Sequence, residues 1–122
     1  MNTVLVMLGS NYQAEENLSQ ACKKLAANFD IIKQSSILIT KPFGKQYVHY
    51  FHNMALKLYT NENFDEIKAI FKRTEKELGR TSESKVSGII PIDIDLIFWN
   101  ETLVHKDYER FEFVRKCIDE VK

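Results

Sequence analysis

Asp93 and Asp95 stand two residues apart in Ile92-Asp93-Ile94-Asp95-Leu96-Ile97-Phe98-Trp99, an otherwise apolar and largely β-branched run. Strand side chains alternate between faces. The two carboxylates therefore share one face, and Ile92, Ile94, Leu96 and Phe98 share the other, which is free to pack on a core. Like charges placed this way repel, and neither is easily buried alone. A divalent cation above them is the simplest relief. The alternative is a solvated sheet face on which Asp happens to occur twice.

The elements that must position this pair are legible along the chain. Thr3 to Leu8 reads as a buried strand, ended by Gly9-Ser10-Asn11. A helix follows from about Gln13 to Asn28, with Leu18, Ala21, Cys22, Leu25 and Phe29 as its apolar stripe and Glu15 and Glu16 suited to its first turn. Phe29 to Thr40 reads as a strand, Lys41 to His49 as a loop built around Pro42 and Gly44, and Tyr50 to Tyr59 as a further strand. Asn63 with Glu66 three residues later resembles a capping box. It opens a helix whose stripe is Phe64, Ile67, Ile70, Phe71, Thr74 and Leu78, and Gly79 marks its end. Thr81 to Gly88 is polar and reads as a mobile loop. The Asp-bearing strand comes next, and a short amphipathic tail from about Asp107 to Val121 closes as a helix. The order β-α-β-β-α-β with a tail predicts an α+β, ferredoxin-like fold, an antiparallel sheet with two helices on one face and a short C-terminal helix. In such a sheet the first and last strands are neighbours, which brings Ser10 and Asn11 toward the Asp pair.

At 122 residues the chain reads as a single domain, 1–122, with one sizeable core. Seventeen basic and seventeen acidic residues balance, so no overall field favours nucleic acid or an anionic membrane. The apolar opening is too short to span a bilayer and follows no basic segment, which argues against a secretory signal. Cys22 and Cys117 have no metal-type spacing and read as reduced, cytoplasmic thiols.

Several separated segments together resemble the 6-hydroxymethyl-7,8-dihydropterin pyrophosphokinase family. They are Leu8-Gly9-Ser10-Asn11, Thr40-Lys41-Pro42-Phe43-Gly44, Phe51-His52-Asn53, Glu75-Lys76-Glu77-Leu78-Gly79-Arg80, Ile92-Asp93-Ile94-Asp95-Leu96, then His105 and Arg110-Phe111-Glu112-Phe113-Val114. They run in the family's order across nearly the whole chain. The resemblance implies a monomeric, cytoplasmic enzyme that moves pyrophosphate from ATP to a pterin alcohol in folate biosynthesis. Asp93 and Asp95 then match a pair that holds two magnesium ions on the ATP phosphates. Arg80 matches a phosphate-loop arginine and joins that pair as a catalytic residue. Glu75, Lys85, His105 and Arg110 fall to ATP, and Thr40, Phe43, Phe51, Asn53 and Phe113 to the pterin. A flat, polar heterocycle calls for stacking and amide-type hydrogen bonds, which suits Phe51 and Asn53 on one strand face. Asn is a poor strand former, so its place inside a strand points to a task for its amide. Phe111 or Phe113 supplies the second stacking face.

The chain also departs from that family. Members usually carry several Arg or Lys residues and a Trp between the Gly-Arg and the Asp pair, then a Pro-Arg just before it. Here the segment is Thr81-Ser82-Glu83-Ser84-Lys85-Val86-Ser87-Gly88-Ile89-Ile90-Pro91, with Lys85 its one basic residue. Ser87 stands at the Trp position, Ile90 at the Arg position, and Val104 where Pro usually precedes His105. Arginine clamps on a transferring phosphoryl group are worth about 10³-fold or more in rate. The sequence therefore predicts metal and nucleotide binding more firmly than fast turnover, and a binding protein on the same fold is the second reading. A ferredoxin-like RNA-binding module is a third. It would use Tyr50, Phe51 and Tyr59 but needs a basic surface that the charge balance does not provide.

Overall fold

The computed structural model describes residues 1–42 and 49–122, apart from the side chain of Lys85. Phe43 and Gly44 lie outside the described residues. β1 (Asn2–Ser10) is the centre of the sheet. It pairs antiparallel with β4 (Phe51–Thr60) on one side and β5 (Asp93–Trp99) on the other. β2 (Asp30–Gln34) and β3 (Leu38–Thr40) both pair with β4, and the two-residue β6 (Thr102–Leu103) extends β5. The sheet order is β2-β4-β1-β5-β6, with β3 also on β4, the ferredoxin-like arrangement.

The helices form for the reasons their sequences suggest. α1 (Ala14–Ala26) carries Glu15 and Glu16 in its first turn and Lys23 and Lys24 in its last, complementing the helix dipole. α2 (Phe64–Glu77) is capped by Asn63, whose side-chain oxygen accepts from the Glu66 amide at 2.9 Å. It ends at Gly79, whose φ of 101° is the left-handed conformation that glycine adopts without steric cost. α1 and α2 cover one face of the sheet, where Val4, Val6, Leu8, Leu56 and Ile94 meet Leu18, Leu25, Ile67 and Phe71.

The tail breaks at Phe111, which is extended (φ −122°, ψ 126°) between α4 (Asp107–Arg110) and α5 (Glu112–Val121). α5 crosses to the opposite face of the sheet. There Val114, Cys117, Ile118 and Val121 pack on Leu5, Met7, Ala55 and Ile97.

Three expectations change in detail. The strand expected over 29–40 is two strands, because Ser35 substitutes a side chain for ladder geometry: its Oγ accepts from the Ala55 amide at 2.8 Å, and Ser36 turns away to Glu120 on α5. The polar segment 81–88 contains a one-turn helix, α3 (Ser84–Ser87). Phe98 does not join Ile94 and Leu96 on the α1/α2 face. Val6 lies opposite Leu96 but Leu5 opposite Phe98, and this bulge shifts the alternation. Ile97 and Phe98 therefore both serve the α5 side, and Trp99 packs edge-on against Phe64, 5.6 Å between centroids.

Candidate functional site

The site lies where α5 stops covering its face of the sheet. In one cross-strand row, Met7 has Ala55 on one side and Asp95 on the other. In the next row, Gly9 has Asn53 and Asp93. Met7, Gly9, Asn53, Asp93 and Asp95, with Thr40, Lys41, Phe51, Asp107, Phe111 and Phe113, line a cleft of about 350 Å³. Gly9 keeps the floor open: a Cβ there would stand 3.4 Å from Asn53 Oδ1 and 4.0 Å from the Phe51 ring.

Asn53 is buried and fixed. Its amide nitrogen donates to the Leu38 carbonyl at 2.9 Å and to Thr40 Oγ1 at 3.0 Å. Phe51 and Asn53 share one strand face, as their spacing predicts, and Thr40 is tied into the same wall. Phe111 and Phe113 stand opposite with ring centroids 5.5 Å apart.

The acid pair has two unlike members. Asp93 is bonded through Oδ1 to the Arg80 guanidinium, which also donates to the Ile92 carbonyl at 3.2 Å. Arg80 reaches this position because Gly79 turns the chain and the Arg80 amide bonds the Glu75 carbonyl at 3.0 Å. Glu75 is 3% exposed. Its carboxylate accepts from the Ile94 amide at 2.7 Å and lies 3.5 Å from both Arg80 and Lys72. Burial pushes the Glu75 carboxyl up, against the pull of the Ile94 amide. Glu75 is thus an inner brace between α2 and β5 rather than an exposed helix carboxylate, and it lies behind Arg80 instead of lining the cleft.

Asp95 lacks such a brace. Burial first, then the charge and hydrogen bond of Asp93 and the charges of Asp107 and Glu75, push its carboxyl up to about 8. Its ion-pair neighbour is His105, with Nε2 3.8 Å from Asp95 Oδ1. Arg110 lies over the Phe111 ring, 4.8 Å to the centroid. Two residues that line the cleft, Lys41 and Asp107, carry no obvious sequence signal beyond proximity to Thr40 and His105. Asn11 has a supporting part. Its side chain donates to the Gly88 carbonyl at 2.8 Å and accepts from the Ile90 amide at 2.7 Å, which pins the chain just before β5.

A ferredoxin-like sheet that sets an aromatic and amide cleft beside paired carboxylates defines an α+β ligand-binding domain with an acidic floor. Comparison with known proteins narrows this class. The profile of the 7,8-dihydro-6-hydroxymethylpterin-pyrophosphokinase family matches residues 5–122, and the chain belongs to that family. It is 35% identical over 102 residues to a 2-amino-4-hydroxy-6-hydroxymethyldihydropteridine pyrophosphokinase of Bacillus subtilis, covering 81% of this chain and 60% of the relative. It is 31% identical over 105 residues to the protein of the same name from Aquifex aeolicus, covering 85% and 65%. A mitochondrial folate synthesis bifunctional protein of Pisum sativum matches at 31% over 106 residues, 85% of this chain and 20% of the relative. The chain thus spans about three fifths of the length of the bacterial relatives.

Proposed function

We propose that this domain transfers pyrophosphate from ATP to the hydroxymethyl group of 6-hydroxymethyl-7,8-dihydropterin, as an ATP- and magnesium-dependent transferase of folate biosynthesis. The observation that carries this reading is the adjacency of the two cross-strand rows. They place an amide and aromatic slot, sized for a small heterocycle, directly beside the acid pair. In the reaction the hydroxymethyl oxygen bonds to the β-phosphorus. The bond from that phosphorus to the bridging oxygen breaks, AMP leaves with its electrons, and the hydroxyl proton is lost.

Phe51 and Phe113, with Phe111, stack on the pterin. Asn53, locked by Leu38 and Thr40, offers its amide oxygen to the ring edge. The family resemblance also gives Phe43 to the pterin and Lys85, His105 and Arg110 to ATP, with Glu75 acting through Arg80. The donor set at Asp93 and Asp95 suits magnesium, since both offer hard carboxylate oxygens. Burial first, and then the neighbouring carboxylates, raise the Asp95 carboxyl, and a bound cation would offset both. Two ions held there with ATP would neutralise charge on the phosphate oxygens. Arg80 holds Asp93 in place for that purpose. Catalysis of this kind rests on positioning and charge neutralisation. Two unpaired cysteines suit a reduced, cytoplasmic setting, and the reading is of a monomer. Among the described residues no helix is long and apolar enough to cross a membrane.

One observation favours the second reading, a pterin- and nucleotide-binding protein with weak or no catalysis. Ile90, at the position where the family resemblance implies an Arg, is 3% exposed and its backbone is gripped by Asn11, so this position offers no cation to the phosphates. The experiment is ATP-dependent AMP formation with the pterin alcohol and magnesium. Turnover above background is expected. A folded protein that binds both ligands yet releases no AMP would leave only the binding reading.

A further inference from the structure

α2 carries more cations than its own stability calls for. Lys68, Lys72 and Lys76 recur at four-residue spacing, and Arg73 adds another charge beside them. Like charges four residues apart destabilise a helix. The helix dipole favours a cation in the last turn, which accounts for Lys76 alone. The chain as a whole is neutral, so this concentration of charge is local.

Lys72, Arg73 and Lys76 line a groove of about 530 Å³ together with Arg80, Thr81 and Ser82. Among the described residues none lines both this groove and the cleft, and the bond from Arg80 to Asp93 links the two. The nearby acids leave the groove positive. Glu75 is turned inward, held by the Ile94 amide at 2.7 Å, and lies 3.5 Å from Lys72. Glu77 pairs with Lys24 at 3.6 Å. Among the described residues no carboxylate pairs with Arg73 or Lys76, and both side chains are exposed. Thr81 Oγ1 accepts from the Glu83 amide at 3.3 Å, which leaves its hydroxyl proton free to donate.

We propose that this groove is an anion site for a phosphate chain, supplied either as free polyphosphate or as the phosphates of a nucleotide. A guanidinium meets two phosphate oxygens at once, and ammonium groups meet others as point charges. Lys72 and Lys76 stand about 6 Å apart along the helix axis, a spacing that suits a chain of phosphates better than a single ion. The acid pair of the cleft needs a metal before it can face phosphate, whereas the α2 groove needs none. The inference rests on neither pterin nor turnover, so it can fail while the enzyme reading stands, and the reverse.

The test is calorimetric titration of the intact chain with tripolyphosphate, without metal, at low and at physiological salt. The expected results are one saturable site, an affinity that falls with salt, and a loss of at least about tenfold in K76E. K68E makes the same change in net charge, but Lys68 lies over the Phe64 ring, 5.4 Å to the centroid, and about 12 Å from Lys76 along the axis. Its affinity should stay within about twofold of wild type. Lys68 and Lys76 are both exposed, so neither variant disturbs the core. Metal-free ATP distinguishes the two sources. Binding at least about tenfold tighter than tripolyphosphate, and lost in K76E, marks a nucleotide site, whereas binding no tighter marks a site for the free chain. Absence of a saturable tripolyphosphate site overturns the inference. So does an equal loss in K76E and K68E, which would mean that overall charge, not the groove, attracts the anion.

Discussion

The two faces of the sheet are built from the same three strands, yet only one is closed. Under α1 and α2 the rows run apolar from end to end: Val4, Val6 and Leu8 on β1, Leu58, Leu56 and Met54 on β4, Leu96, Ile94 and Ile92 at β5. Under α5 the rows begin the same way, with Leu5, Met7 and Ala55 in a core. They then change character: on β1 and β4 Met7 gives way to Gly9 and Ala55 to Asn53, while on β5 the change comes one row earlier, with Asp95 level with Met7 and Asp93 level with Gly9. A ten-residue helix covers about 15 Å, enough for half of that face. What it leaves uncovered is the cleft. The comparison teaches that the binding face is a core interrupted, and that α5 is both its stabiliser and its boundary.

The largest expected effect tests whether the open half is a site at all. Asp95→Ala should lower magnesium-dependent nucleotide affinity by about a hundredfold or more, read by calorimetry with a non-hydrolysable ATP analogue, since it removes one of the two carboxylates proposed to hold the ion. Unchanged binding would reduce Asp95 to an ordinary sheet-face carboxylate and leave the two faces different only in coverage.

Next in size is a test of the closed half. Ile118, fully buried on α5, should cost about 2–5 kcal/mol on truncation to Ala, measured by urea denaturation. If α5 is a detachable cover rather than part of the core, the loss will be far smaller and will appear as a separate early transition.

The smallest effect concerns the cost of leaving the acid pair without a cation. Asp95 keeps its proton in the folded state up to about pH 8 but loses it near 3.9 when unfolded. Between those limits the folded state binds the extra proton, so this group's contribution to stability falls as pH rises from about 4 to 8. The melting midpoint of the metal-free protein should drop more between pH 5 and pH 8 than that of D95N. Equal slopes would show that Asp95 titrates as it does in the unfolded chain.

Much of this was open to reading from residues alone. The alternation that puts Asp93 and Asp95 together, and Phe51 with Asn53, is local and survives folding. So are the Asn63 cap and the Gly79 stop. The resemblance to the pyrophosphokinases also followed from short segments in order, and the family profile bears it out. What could not be read depends on contacts between distant segments. The bulge that redirects Phe98 is set by pairing with β1, and the break at Ser35 by Ala55 and α5. Glu75 becomes an inner brace only because Ile94 presents its amide there. Asp107 joins the cleft only because the turn after β6 folds back over β5.

The grip of Asn11 on residues 88–90, with Arg80 held at the other end by Glu75, Ile92 and Asp93, makes the intervening stretch a tethered arc. Its ends are fixed independently of what lies between them. Within it Ser84 is buried and accepts from the Thr81 amide at 3.1 Å, while Ser82, Glu83, Val86 and Ser87 are exposed and can be rewritten at little cost. The carboxylates stay in register while the arc is rewritten. That modularity makes the exposed positions of this arc the natural place to graft basic residues.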